Sequence, residues 1–232
     1  MRHDVPPPGL HVAVIMDGNG RWAAARGRPR LAGHAAGARA ARRAIEAAPA
    51  LGIGALTLFG FSSDNWRRPA AEVAGLMELI TRTLRREAAV CARQGVRIRV
   101  IGRRDRLPAA LLAAVRRAEA ATAEGRRLDL RIALDYSSRE AIARASLRLS
   151  PQEERPREAL ARVLGEGAPE VDLLVRTGGE QRLSDFLLWE SAYAEIVFTP
   201  LMWPQFTPAD LAAAVREFAA RERRFGALPA PA

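Results

Sequence analysis

Short apolar runs recur along the chain, each breaking off at a polar or glycine-containing turn, and longer stretches with apolar residues at helical spacing lie between them. Residues 11–16 form the first run, rich in β-branched side chains, and predict a buried strand that stops at Asp17-Gly18-Asn19-Gly20. Residues 55–61 predict a second strand, ending in the polar loop Ser62-Ser63-Asp64-Asn65-Trp66-Arg67-Arg68-Pro69. Residues 95–101 alternate polar and apolar side chains, as a half-covered strand does. Residues 128–134, 171–175 and 194–198 complete the set, the first two stopping at Asp135-Tyr136-Ser137-Ser138-Arg139 and Arg176-Thr177-Gly178-Gly179-Glu180.

Helical periodicity fills the gaps. Residues 33–48 are alanine-rich, and after Pro69 the residues Val73, Leu76, Met77, Ile80, Leu84 and Cys91 fall on one stripe. Further helices are predicted over 107–121, about 138–149, 157–164 and 207–225. Strands alternating with helices indicate an α/β fold: a single domain with a central six-stranded, mostly parallel sheet flanked by helices. Ligands of such sheets bind beyond the carboxyl ends of the strands. The polar clusters after the first, second, fourth and fifth strands all fall there. Residues 1–10, with three consecutive prolines, read as a flexible arm, residues 11–226 as the domain, and 227–232 as a tail.

Composition narrows the chemistry. All 36 basic residues are arginine, so neither a Schiff-base lysine nor a nucleotide-binding GK[ST] loop exists here. One cysteine, Cys91, allows no intrachain disulfide and no cysteine zinc cluster, which fits a reducing cytoplasm, and Cys91 itself reads as core. No two aspartates are adjacent, which argues against paired-aspartate magnesium sites. No apolar run approaches the roughly 18 residues of a bilayer span. The net charge of +10 permits nucleic acid, an anionic membrane surface or phosphorylated substrates as partners. Against nucleic acid, the arginines are dispersed over every predicted helix and no strand carries a row of aromatic residues for base stacking.

The first turn is the sharpest local feature. A strand that ends in two glycines and passes into a helix near Arg21 presents free backbone N–H groups and a helix dipole, while Arg21, Arg26, Arg28 and Arg30 add positive charge. Asp17 would repel an anion there unless a divalent cation lay between them, so the stretch predicts a metal-bridged phosphate or diphosphate. A second glycine turn, at 176–184, again brings arginines, Arg176 and Arg182, and a hydroxyl, Ser184. Guanidinium forks match phosphate oxygens, so this predicts a second anion site. Taken singly, His34 and Trp66 read as packing residues and Glu195 as a solvent-facing residue on an edge strand.

HVAVIMDGNGRWA from residue 11, GH at 33–34, FSSDNWRRP at 61–69, VRTGGEQRLSDFLLWESAYAE at 175–195 and RERRFG at 221–226 together resemble the cis-prenyltransferase family, whose bacterial members are typically undecaprenyl diphosphate synthases. The resemblance implies an enzyme, with an apolar product tunnel, that condenses isopentenyl diphosphate with an allylic diphosphate such as farnesyl diphosphate, making Z double bonds. It implies Mg²⁺ held by Asp17 and Glu195. Gly18, Asn19, Gly20, Arg21, Trp22, Arg30, His34, Ser62, Trp66 and Arg68 would serve the allylic diphosphate, with Asp17, Asn65 and His34 as the catalytic set. Arg176, Arg182 and Ser184 would bind isopentenyl diphosphate, joined by Arg224 from the partner of a homodimer. The implied location is cytoplasmic, peripheral at the inner face of the membrane, where the lipid product leaves.

Two stretches depart from the family pattern. Asp135-Tyr136-Ser137-Ser138-Arg139 stands where NYGGR is expected, and Asp64 stands where glutamate is usual. Gly60 occupies a position where short-chain members carry a large residue, so a medium or long product is expected, with undecaprenyl diphosphate the default and a short-chain or unusual condensation as the alternative. A non-catalytic partner subunit is disfavoured, because Asp17, Asn19, Arg21, Asn65, Arg176, Arg182, Ser184 and Glu195 are all present.

Overall fold

The structure, a computed structural model, describes residues 9–150, 154–165 and 170–221. Its strands are β1 (Leu10–Ile15), β2 (Ile53–Ser62), β3 (Val96–Ile101), β4 (Leu128–Tyr136), β5 (Leu173–Arg176) and β6 (Glu195–Phe198). They form one sheet in the order β3-β4-β2-β1-β5-β6, and every neighbouring pair is parallel. The expected mostly parallel sheet is therefore wholly parallel. The internal strands β1 and β5 are almost wholly buried runs, whereas β3, at one edge, keeps the alternation seen in the sequence.

The helices are α1 (Asn19–Ala24), α2 (Arg30–Ala47), α3 (Ala70–Arg93), α4 (Ala109–Ala121), α5 (Ser138–Ser146), α6 (Pro156–Gly165) and α7 (Pro208–Ala220). α2 starts earlier than its periodicity suggests, because Pro29, at φ −57° and ψ 145°, sets the entry, and it gives way to a 3-10 helix that Gly52 ends in the left-handed region. α5 stops three residues short of the expected 149. The described part of the closing helix ends at Ala220, and the family arginine Arg224 lies outside the described residues, as do most of the expected N-terminal arm and the whole C-terminal tail.

One core joins Val12, Val14, Leu56 and Leu58 of the sheet to α2, α3, α4 and α7. A smaller one, on the other face, packs Ala13, Ile15 and Leu174 against Phe186, Leu187 and Tyr136. From β1 the chain moves outward to β2 and later β4, then returns to β5 on the other side of β1. The sheet's switch point is thus the crevice between β1 and β5. The carboxyl ends of β4, β2, β1 and β5, whose turns carry the polar clusters, are contiguous there.

Candidate active site

The first turn is built by close approach. Gly18 has φ 96°, and a Cβ on it would meet Met202 Sδ at 2.6 Å. On α2, Gly33 and Gly37 let the first helix sit against its backbone, since added Cβ atoms would meet Asn19 O at 2.0 Å and Asn19 Oδ1 at 2.2 Å. Arg30 lies across Gly20, where a Cβ would meet its guanidinium at 2.6 Å. Asn19 turns inward and donates through Nδ2 to Met16 O at 3.0 Å, so its contribution to the turn is structural.

The two glycine turns meet. Thr177 Oγ1 donates to Asp17 O at 2.8 Å, and a Cβ on Gly178 would come within 2.8 Å of Arg21 Nη2 and 3.1 Å of the Asp17 carbonyl carbon. Arg176, almost fully buried, donates through Nη2 to Asp17 Oδ2 at 3.0 Å and through Nη1 to Ser184 Oγ at 2.8 Å and to Arg182 O at 2.5 Å. Arg21 Nη2 stands 3.4 Å from Asp17 Oδ1, which also accepts from Gly18 N at 2.6 Å. Burial alone would push the Asp17 carboxyl up, but the Arg176 hydrogen bond, the Gly18 N–H and the charges of Arg176 and Arg21 outweigh it and hold the group below its ordinary value. It is a carboxylate at neutral pH. Ser184, Asp185 and Leu187 all have φ between 45° and 61°, so the loop that presents Ser184 is held in a conformation side chains rarely adopt.

Ser62 and Asn65 form a capping box at the 3-10 helix Ser63–Arg67, with Asn65 Oδ1 accepting from Ser62 N at 3.1 Å. Glu72, not among the expected site residues, gathers the basic side chains of this rim. It accepts from Arg68 Nη1 at 3.1 Å and Arg30 Nε at 3.2 Å, and its Oε1 lies 3.9 Å from His34 Nε2. Its four-residue spacing from Arg68 was the available signal. His34 is held down to about 4, first by burial and then by the charge of Arg68, so it is neutral at physiological pH.

A cavity of about 550 Å³ runs from these residues into the fold. Asp17, Asn19, His34, Ser62, Asn65, Arg68, Arg176 and Ser184 line it at one end. Leu58, Gly60, Ile80, Leu84, Ile132 and Leu134 line its body, and Cys91 and Gln94 lie among its further residues. Cys91 is buried, as expected, and burial pushes its thiol up. Three buried polar atoms of the lining, Asn19 Oδ1, His34 Nε2 and Arg176 Nε, have no hydrogen-bond partner, and the latter two can donate. Donor-capable groups left unsatisfied at the head of an apolar cavity suit a ligand with an anionic head and an apolar tail.

Other expected site residues lie elsewhere. Trp22 stacks beneath Arg26, 4.4 Å from guanidinium carbon to ring centroid, and is not part of the cavity lining. Trp66 also lies outside that lining and donates from Nε1 to Asp135 Oδ1 at 2.8 Å. Arg182 contributes its backbone carbonyl, while its side chain turns out to Glu180 at 2.5 Å. Glu195 is not brought to Asp17 within one chain. It pairs across the sheet with Leu173, which faces Val12, about 10 Å along the strand direction from the row of Ile15 and Arg176, and its carboxylate is bound by Arg221 Nη1 at 2.8 Å. The edge-strand reading of Glu195 describes this placement, because β6 is the edge.

The serines that depart from the family pattern are accommodated. Ser137 has extended φ, caps α5 by accepting from Glu140 N, and donates to Asp185 Oδ2 at 2.5 Å, while Ser138 Oγ accepts from Leu188 N at 2.9 Å. Both hydroxyls brace the loop that carries Ser184.

Residues 15–226 match the family model described as "Putative undecaprenyl diphosphate synthase". The chain belongs to that family. It is 57% identical over 223 residues to isoprenyl transferase 1 of Bradyrhizobium diazoefficiens, a match covering 95% of this chain and 91% of the relative. Among solved structures it is similar to lavandulyl diphosphate synthase from Lavandula x intermedia in complex with dimethylallyl diphosphate, at TM-score 0.89 and 32% identity over 94% of this chain and 98% of that one. A probable undecaprenyl diphosphate synthase from Campylobacter jejuni matches at TM-score 0.78 and 31% identity, over 95% of this chain and all of the other. Membership of this family of isoprenyl transferases supports a prenyltransferase activity.

Proposed function

We propose that the protein condenses isopentenyl diphosphate with an allylic diphosphate, repeatedly and with Z geometry, and that its product is undecaprenyl diphosphate. The observation that carries this reading is the joining of two glycine turns, each bearing arginine, at the head of a largely apolar cavity. One turn serves each diphosphate. The Gly18–Arg21 turn, with Arg30, Arg68 and neutral His34 nearby, receives the allylic diphosphate, and Arg176 with Ser184 receives that of isopentenyl diphosphate. In each cycle the allylic C–O bond breaks with its electrons leaving on diphosphate, the terminal alkene carbon of isopentenyl diphosphate bonds to the freed carbon, and one proton is released.

The donor set at Asp17 fits Mg²⁺. One ionised, partly exposed carboxylate beside two diphosphate sites matches an ion that keeps several waters and takes its other ligands from substrate phosphates. Mg²⁺ there would neutralise charge that develops on the leaving diphosphate. Asp17 would hold the ion, Arg176 and Arg21 would orient phosphate oxygens around it, and the apolar lining would keep water from the allylic carbon. The exposed aromatic residues Tyr193 and Phe198, beside and on edge strand β6, support a homodimer. No helix among the described residues is long and apolar enough to cross a membrane, and we place the protein in the cytoplasm, peripheral at the membrane that takes its product.

Gly60 supports the long product, since it is exposed, lines the cavity and puts no side chain there. The similarity to lavandulyl diphosphate synthase favours a second reading, a short or irregular condensation. Incubation with isopentenyl diphosphate, Mg²⁺ and allylic starters of different length, with mass spectrometry of the products, tests both. Long Z-polyprenyl diphosphates are expected. Products of one condensation would favour the second reading, and an absence of any condensation would refute both.

A further inference from the structure

The carboxylate of Asp135, fully enclosed, has three donors from two other loops. Trp66 Nε1 donates to Oδ1 at 2.8 Å, Arg106 Nε donates to Oδ2 at 2.8 Å, and Arg106 Nη2 also contacts Oδ1. The Arg106 guanidinium lies over the Trp66 ring, 5.6 Å from its centroid, and Phe61 meets the same ring edge-on at 5.2 Å. Asp135 holds φ 49°, and its carbonyl accepts from Arg103 N at 3.2 Å, so the loop carrying Arg106 is tied to it twice.

No residue of the 3-10 helix Ser63–Arg67 is buried. Among the described residues, its one side-chain hydrogen bond to a distant part of the fold is that of Trp66 to Asp135. Asn65 immediately precedes this tryptophan, and Arg68 follows two residues later, and both line the cavity. We propose that Asp135, Arg106 and Trp66 form a clamp that positions Asn65 and Arg68 for the allylic diphosphate, making Asp135 and Arg106 positioning residues. The clamp gives the aspartate that replaces the expected family asparagine a purpose, because its charge is matched by a bidentate arginine rather than left beside the anion site. This inference deepens the function proposed above and rests on it.

Trp66→Phe deletes the indole N–H and keeps an aromatic ring, though a smaller one; Arg106→Ala removes the counter-charge. Both are expected to raise KM for the allylic diphosphate about tenfold with KM for isopentenyl diphosphate within twofold of wild type, and to speed amide hydrogen exchange over residues 62–68 about tenfold. Should Arg106→Ala fail to fold around an unpaired carboxylate, the double variant Asp135→Asn with Arg106→Gln supplies the test. It keeps an oxygen acceptor for Trp66 without buried charge, and is expected to restore the allylic KM to within threefold of wild type. Equal changes in both KM values, or unchanged exchange over 62–68 in Trp66→Phe, would overturn the clamp. If the wild type condenses nothing, the function proposed above fails by itself, and the exchange measurement still decides whether the clamp exists.

Discussion

At Asp17 one side chain is shared between the protein's own charges and those of its proposed ligands. Its salt bridge to buried Arg176 means that Asp17→Ala leaves a guanidinium unpaired, a defect that destabilises proteins in its own right. Asp17→Asn is the cleaner test, since an amide oxygen still accepts from Arg176. It should cut kcat on the order of 100-fold or more with little change in Tm, whereas retained turnover would refute the metal assignment. Chelation with EDTA should likewise abolish turnover and leave Tm unchanged, because Arg176 and Gly18 N satisfy the carboxylate without an ion. His34 makes a separate prediction. Its folded value of about 4 lies below the unfolded 6.5, so the unfolded chain takes up the proton first, and stability is lost as pH falls from about 6.5 to about 4. The full effect is about 3 kcal/mol, and denaturant titrations across this range should show His34→Gln with a flatter pH dependence.

Elements meet in this fold where side chains are absent. Gly178 combines φ 88° with contacts near 3 Å to the first turn, so Gly178→Ala would both strain its backbone and push the two glycine turns apart. A loss of about 1–2 kcal/mol in stability is expected, with KM raised for both diphosphates; an unchanged allylic KM would show that the turns act independently. This contact was not legible in the sequence. Each glycine turn could be read by itself as a strand end with anion-binding potential, but their separation of about 160 residues gives no local sign that they touch. The same limit applies to Trp66. An aromatic residue in a polar loop offers no clue to whether it faces substrate or a buried carboxylate, and the partners that decide it, Asp135 and Arg106, lie on other strand ends.

Across the whole molecule, the sheet's switch point sets the polar, arginine-bearing end of the cavity and the space between the sheet and the helices on one face sets its apolar body. Gly60 links the two, because it sits at an irregularity in the β2–β4 register and exposes its backbone to the cavity. A Cβ there would already meet Leu134 Cδ2 at 3.0 Å. Gly60→Leu should therefore shorten the principal product, read by mass spectrometry, while the first condensation is preserved; an unchanged product distribution would show that the chain grows elsewhere.

The parallel α/β class, the positions of all six strands and the two glycine turns that follow the first and fifth of them are legible in the sequence alone, because apolar periodicity and glycine placement act over a few residues and leave a local trace. The motifs likewise identified the family from residue types in order. Only tertiary structure decided which predicted residues share a site. Strand order put β1 beside β5, joining Asp17 to Arg176, and the same order set Glu195 at the start of an edge strand, bound to Arg221. The choice of strand neighbours depends on how distant elements pack, and that information is spread over the whole chain.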